Sequence, residues 1–227
     1  MSDTLGMTDE NKHIATFDAL TSERSNLEGT YEMISRYVMP GKGRFFETNS
    51  DSENAIDWTN RDLYDKTAPF AVQSLAASIH GNLTNPASDW FTFRYQQAEL
   101  NDDKETAKWL YDCKMACWYA IQESNFNAEV QEFYLDDVGY GTAVMTEEYT
   151  EEQGLKFKTY MCRGVFFQED FDGKPLSIYQ MKMHTALEIV SKFGDESCPE
   201  WVKEKATASD QSEKIEVIHC IYKRDYT

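Results

Sequence analysis

Leu75–Phe93, LAASIHGNLTNPASDWFTF, is the stretch on which the reading of this chain turns. Its apolar and small residues recur at helical spacing and stop at Gly81. A polar turn through Asn85 and Pro86 follows. From Trp90 the dense aromatic and β-branched residues predict a strand. Helix, turn and strand follow one another with no cluster of nucleophilic or metal-binding side chains between them, so the segment reads as a structural joint and not as a catalytic motif.

Working outward toward the N-terminus, Ile14, Phe17, Leu20, Leu27, Tyr31, Ile34 and Val38 keep roughly helical spacing until Pro40 and Gly41 stop the pattern. Residues 41–57 turn to Gly, Asn, Ser and charge, the composition of a long loop. Thr59 is placed to cap a second helix, and Leu63, Thr67, Phe70, Ser74 and Ala77 continue it toward His80. Pro69 sits in the first turn of a short version of that helix or kinks a long one. The small residues Ala71, Ser74, Ala76, Ala77 and Ser78 predict a central helix that another element approaches closely. His80, at its C-terminal end, reads as a helix-terminal contact.

On the other side, Asp102 and Glu105 suggest a capping box opening a helix with Trp109, Leu110, Cys113, Cys117, Ala120 and Ile121 along one side. Ser124 and Asn125 break it. A shorter helix carries Val130, Phe133, Tyr134 and Val138 as far as Gly139, and Gly141 leads into a strand over 142–149. Strands over 155–161, 165–168 and 176–183, with turns at Gln153-Gly154 and DFDGKP, predict an antiparallel meander. Helical patterns over 185–193 and 199–205 and a strand over 215–222 complete the order. The class expected is α+β, N-terminal helices packed on an antiparallel β meander. The division expected is 1–58 as N-terminal helix and long loop, 59–140 as a helical part and 141–227 as a β-rich part of one structural unit.

The 227 residues suffice for one large or two small domains, and 41% hydrophobic with 14% aromatic residues is enough for a sizeable core. No apolar run approaches the roughly 18 residues of a membrane span. MSDTLGMTDENK lacks the charged and apolar regions of a signal peptide, so the chain is expected in the cytosol. Five cysteines at scattered positions are expected reduced. Cys113 and Cys117, at i and i+4, lack the second Cys or His pair of a zinc site and read as buried small side chains.

A formal net charge of -18 opposes nonspecific attraction to nucleic acid. Between Met115 and Leu155 there is no Lys or Arg, while Glu123, Glu129, Glu132, Asp136, Asp137, Glu147, Glu148, Glu151 and Glu152 fall in that window. The window predicts a uniformly negative surface, read either as a solvated face or as a wall past which DNA slides without sticking. Other chemistry is sparse. Asp170, Asp172 and Gly173 begin like a calcium loop but lack its later acidic ligands, and a hairpin turn is the better reading. Asp136 and Asp137 offer a carboxylate for hydrolysis without a visible second group. His13, His80, His184 and His219 form no ligand spacing, and no phosphate loop or nucleophile signature occurs. The expectation is no catalytic, cofactor-binding or metal-binding residue.

LAASIHGNLTNPASDWFTF, then WLYDCKMACWYAIQESNFNAEVQEFYLDDVGYGTAVM, then FFQEDFDGKPLSIYQMKM and VIHCIYKRD stand in an order that resembles the head-to-tail connector (portal) proteins of short-tailed bacteriophages. The likeness runs from about Arg61 to the end. It implies a non-enzymatic structural subunit in a ring of twelve at one capsid vertex, a conduit for DNA packaging and ejection and an attachment site for the tail. Implied partners are further copies of the chain, the major capsid protein, the tail adaptor, the packaging terminase and duplex DNA passing without sequence-specific binding. The implied location is the virion, after assembly in the host cytoplasm. The resemblance implies that the chain is the wing, with the stem, clip and crown of a complete member expected beyond it. Two other readings compete: a hydrolase using carboxylates near Asp136, and an acidic interaction module or DNA mimic.

Overall fold

The computed structural model describes residues 9–42, 63–151, 154–208 and 213–223. Its elements are α1 (Asp9–Tyr37), a 3-10 turn (Pro40–Lys42), α2 (Thr67–Leu83), α3 (Ala98–Asn101), α4 (Lys104–Glu123), α5 (Phe126–Tyr140), β1 (Val144–Thr150), β2 (Gly154–Tyr160), β3 (Val165–Glu169), β4 (Pro175–Thr185), α6 (Ala186–Phe193), α7 (Glu200–Thr207) and β5 (Lys214–Tyr222). The class is α+β, as the residue patterns predict. The chain forms two compact units, one from the start of α1 through Gly29 together with the part from Arg163 onward, the other from Thr30 through Cys162 apart from a few residues outside the described set.

In the first unit, β3, β4 and β5 form an antiparallel sheet in that order. Alternation along the strands puts Phe166, Tyr179 and Cys220 side by side on one face. Phe17 and Leu20 of α1 pack there, with Phe17 meeting Phe166 edge-on at 4.9 Å between ring centroids. His13 Nδ1 lies 3.0 Å from the Tyr179 hydroxyl, giving that buried polar tip a partner. The Arg24 guanidinium covers Phe166 and donates to the carbonyls of Arg163 and Val165 at 2.6 and 3.2 Å. Ile215 and Val217, on the opposite face, pack against Ala186, Ile189, Val202 and Ala206 of α6 and α7. Thr185 and Glu188 form a full capping box at the start of α6.

In the second unit, the end of α1, the 3-10 turn and α5 enclose Met39, Tyr140 and Cys162, with Tyr31, Ile34 and Leu135 around them. Ser35 Oγ and the Tyr140 hydroxyl are 2.8 Å apart in that core. Gly139 is needed for the approach: a Cβ there would lie 1.9 Å from Met39 Sδ. Phe126 and Val130 of α5 pack on Phe157 of β2, joined by Met145 and Leu155. Gly141 ends α5 in the left-handed conformation at φ 74°.

Several expectations need correction. The strand pairing is interrupted: β1 and β2 form a sheet of their own, separated from β3–β5 by the 3-10 turn Cys162–Gly164. Cys162 in that turn is drawn into the core with Met39 and Tyr140, which ends β2 before it can reach a third strand. Residues 89–95 are not a strand, because no ladder partner lies beside them among the described residues. The helix before them runs past Gly81 to Leu83, with Thr84 N–H donating to His80 C=O. Asp103, not Asp102, caps α4, accepting from the Thr106 N–H. Cys117 is exposed and Cys113 half-buried, since α4 buries none of its residues. The helix α2 packs against α5, as its run of small residues predicts, but buries only Ala76 of its own residues. The predicted cap at Thr59 and most of the 41–57 loop lie outside the described residues.

Candidate functional site

The hydrogen bonds between α5 and the β1–β2 hairpin define the most informative surface. Asn125, at the start of α5, accepts from the Phe157 N–H and donates to the Phe157 C=O, both at 2.8 Å. The Glu129 carboxylate accepts from the Thr159 N–H at 2.6 Å, and its backbone carbonyl accepts from the Thr159 hydroxyl. The side of β2 that faces away from β1 is therefore closed by α5 side chains. Phe157 pairs with Glu147 and Thr159 with Met145. In an antiparallel pair, residues opposite one another both turn their backbone groups inward or both outward. Since Phe157 and Thr159 turn theirs outward, so do Glu147 and Met145, and Tyr149 by the same alternation. No third strand lies along that edge among the described residues. Glu147, Glu148 and Tyr149 on it are exposed, Tyr149 at 72%.

The acidic window is thus not a uniformly negative surface. Glu129 is a strut for β2, Asp136 is buried, and Glu148 stands across from Lys156 on the neighbouring strand. Glu123, Asp137, Glu147, Glu148 and Glu151 remain exposed. Asp136 and Asp137 are consecutive on α5, roughly 100° apart around its axis, and so lie in different environments. Asp136 is 1% exposed, and the Lys42 ammonium sits 3.1 Å from its Oδ1 while also contacting Glu132. Burial pushes the Asp136 carboxyl above its ordinary range, with Lys42 opposing and Glu132 reinforcing the shift. For Lys42, burial works against the charge, but Glu132 and Asp136 outweigh it and raise its pKa. The cluster holds the 3-10 turn to α5: Lys42 is the cation that makes a buried carboxylate tolerable.

The aromatic run 90–95 is a second exposed feature of the same unit. Trp90 stacks on Phe126 at 5.9 Å and Phe91 lies 6.4 Å from Trp118. Tyr95 stacks on Trp109 at 6.3 Å, and its N–H and C=O are bonded to Asn101. Trp90, Phe93 and Tyr95 nevertheless stay 38–40% exposed. Lys114 pairs with Asp89, which lowers the Asp89 pKa. Asp170 behaves as a turn residue: its carboxylate accepts from the N–H groups of Asp172 and Lys174, and Gly173 takes φ 73°. His80 Nδ1 lies 2.8 Å from Thr84 Oγ1 at the end of α2, the helix-terminal contact its position predicts.

Among the described residues, no group of three or more His, Cys, Asp or Glu is placed to hold a metal ion. None of their helices is long and apolar enough to cross a membrane. The arrangement offers surfaces: an open acidic strand edge, an exposed aromatic segment, and two helices, α2 and α4, with a single buried residue between them.

Comparison with known proteins agrees with that emphasis. The chain is 22% identical over 214 residues to a protein described as a probable portal protein from Bordetella phage BPP-1. The alignment covers 93% of this chain and 38% of that relative, so the chain spans well under half of the relative's length. Residues 10–227 match the family described as bacteriophage head to tail connecting protein. The chain therefore belongs to the bacteriophage head to tail connecting protein family.

Proposed function

We propose that the protein is a structural, non-enzymatic subunit of a phage portal, assembling with further copies into a closed ring of about twelve at one capsid vertex. In this reading the ring passes duplex DNA inward during packaging and outward during ejection, and holds the tail. These residues serve as its wing. The observation that carries the reading is family membership over residues 10–227. The uncovered surfaces of the second unit support it. A helix such as α2, with Phe70 71%, Leu75 51% and Leu83 61% exposed, calls for protein neighbours and not for a small substrate. The net charge of -18 suits a conduit that DNA passes without sticking.

The capsid protein, tail adaptor and terminase are the partners proposed for the assembled particle. The test is native mass spectrometry and negative-stain microscopy of the protein purified from its natural source. A ring of near twelvefold symmetry is expected. A monomer under all conditions of salt and concentration overturns the proposal.

A further inference from the structure

We infer that the open edge of β1 in one copy is completed by residues Trp90–Arg94 of a second copy, joining neighbours by an added β-strand. The inference rests on the ring reading above and names the surfaces that make the contact.

Two backbone segments of the second unit lack what the other supplies. On β1, Met145, Glu147 and Tyr149 present outward N–H and C=O groups with no strand beside them among the described residues, while the far side of the hairpin is closed by Asn125 and Glu129. One edge is therefore available, and it is β1. In residues 90–94, WFTFR, the sequence has the aromatic and β-branched content of a strand, yet none of these backbone groups is hydrogen-bonded among the described residues. Exposed backbone groups in an extended strand are a template for pairing with another chain, and main-chain pairing with side-chain pockets is the mode by which strands add to sheet edges.

Charge selects the combination. Arg94 is exposed and has no ion pair among the described residues, whereas the exposed residues of β1 are Glu147, Glu148, Tyr149 and Thr150. A second copy brings both halves of this complementarity, and the contact is heterologous: one surface of each copy meets a different surface of the next, as ring closure requires. Beside 92–94 a groove of about 530 Å³, lined by Phe93, Leu110, Tyr111 and Lys114, offers room for side chains of an incoming strand such as Tyr149.

Thr92→Pro tests the pairing directly. The Thr92 N–H has no acceptor among the described residues, so proline there removes a donor that the inferred contact between copies would use. The chain is compared with Thr92→Pro and Arg94→Glu by sedimentation velocity, with circular dichroism confirming the fold. Thr92→Pro is expected to abolish the assembly, Arg94→Glu to weaken it by roughly tenfold, and Glu147→Lys with Glu148→Lys to restore the Arg94→Glu variant. A photo-crosslinking phenylalanine analogue at position 93 is expected to label residues 144–150 of another copy. Rings that persist in Thr92→Pro, or crosslinks to any other segment, overturn this inference and leave the ring reading standing. Absence of any ring in the parent chain, with no intercopy crosslink, overturns both.

Discussion

The sheet of β3–β5 and the helices α2 and α4 are similar in apolar content but opposite in how they use it. Tyr179, in the centre of β4, is 1% exposed, enclosed by Phe17 and Phe166 with its hydroxyl beside His13. Trp109 on α4 is 57% exposed and Phe70 on α2 71%. The first unit finishes the burial of its sheet with its own helices, α1 against one face and α6 and α7 against the other. The second unit builds two small cores around α5 and leaves α2, which packs on α5, and α4 largely exposed. The contrast teaches that apolar content alone does not locate a core. A residue is buried when another element reaches it, and in the second unit α5 packs against one side of α2 while the other side of α2 and much of α4 stay exposed among the described residues.

Tyr179→Ala is expected to have the largest effect on stability. Removing this side chain from a closed core is expected to cost about 3–5 kcal/mol in urea unfolding. A loss under about 1 kcal/mol would mean that the first unit is no better packed than the second. Trp109→Ala serves as its counterpart, and its effect on the isolated chain is expected within about 0.5 kcal/mol.

Lys42→Met is next in size. It leaves the Asp136 carboxylate buried without a cation, expected to cost about 3 kcal/mol near neutral pH and less on acidification, where Asp136 takes up its proton. Asp136→Asn sharpens the point through its pH dependence. Burial above all holds the Asp136 pKa above its unfolded value, against Lys42 and with Glu132. The folded state therefore binds this proton more tightly than the unfolded state. The contribution of Asp136 declines as pH rises from about 3.9 through the folded pKa. Relative to the parent chain, Asp136→Asn is expected to gain stability across that window and to match it below. Unfolding curves at a series of pH values read this directly, and an Asn variant that loses ground as pH rises would show that Lys42 dominates instead.

Smaller effects probe local fits. Gly139→Ala gains helix propensity but pushes into Met39, and the net loss expected is about 1 kcal/mol. Thr185→Ala removes one half of the capping box of α6 and is expected to cost about 1 kcal/mol, read as a drop in melting temperature by calorimetry.

Much of the molecule was legible from local pattern. Helical spacing from Ile14 to Val38, stopped by Pro40 and Gly41, located α1; Ser124 and Asn125 separated α4 from α5; and the alternation of Ile215–Tyr222 located β5. These signals are local because capping, turn chemistry and periodicity act within a few residues. The cap of α4 shifted by one residue because Asp102 and Asp103 compete for the same role, and only the backbone angle at Asp103 decides it.

By itself, the sequence determined the α+β class, the order of most elements and the family resemblance, since each rests on residue types and their spacing along the chain. Tertiary structure alone decided the rest. It split the expected meander into two sheets and left the backbone of Trp90–Arg94 without a hydrogen-bond partner among the described residues. It also set neighbouring Asp136 and Asp137 apart, one buried beside Lys42 and the other exposed. It closed one edge of the β1–β2 hairpin with Asn125 and Glu129 while leaving the other open. The physical reason is the same in each case: pairing and burial depend on which distant groups arrive alongside, and residue spacing along one segment carries no record of that.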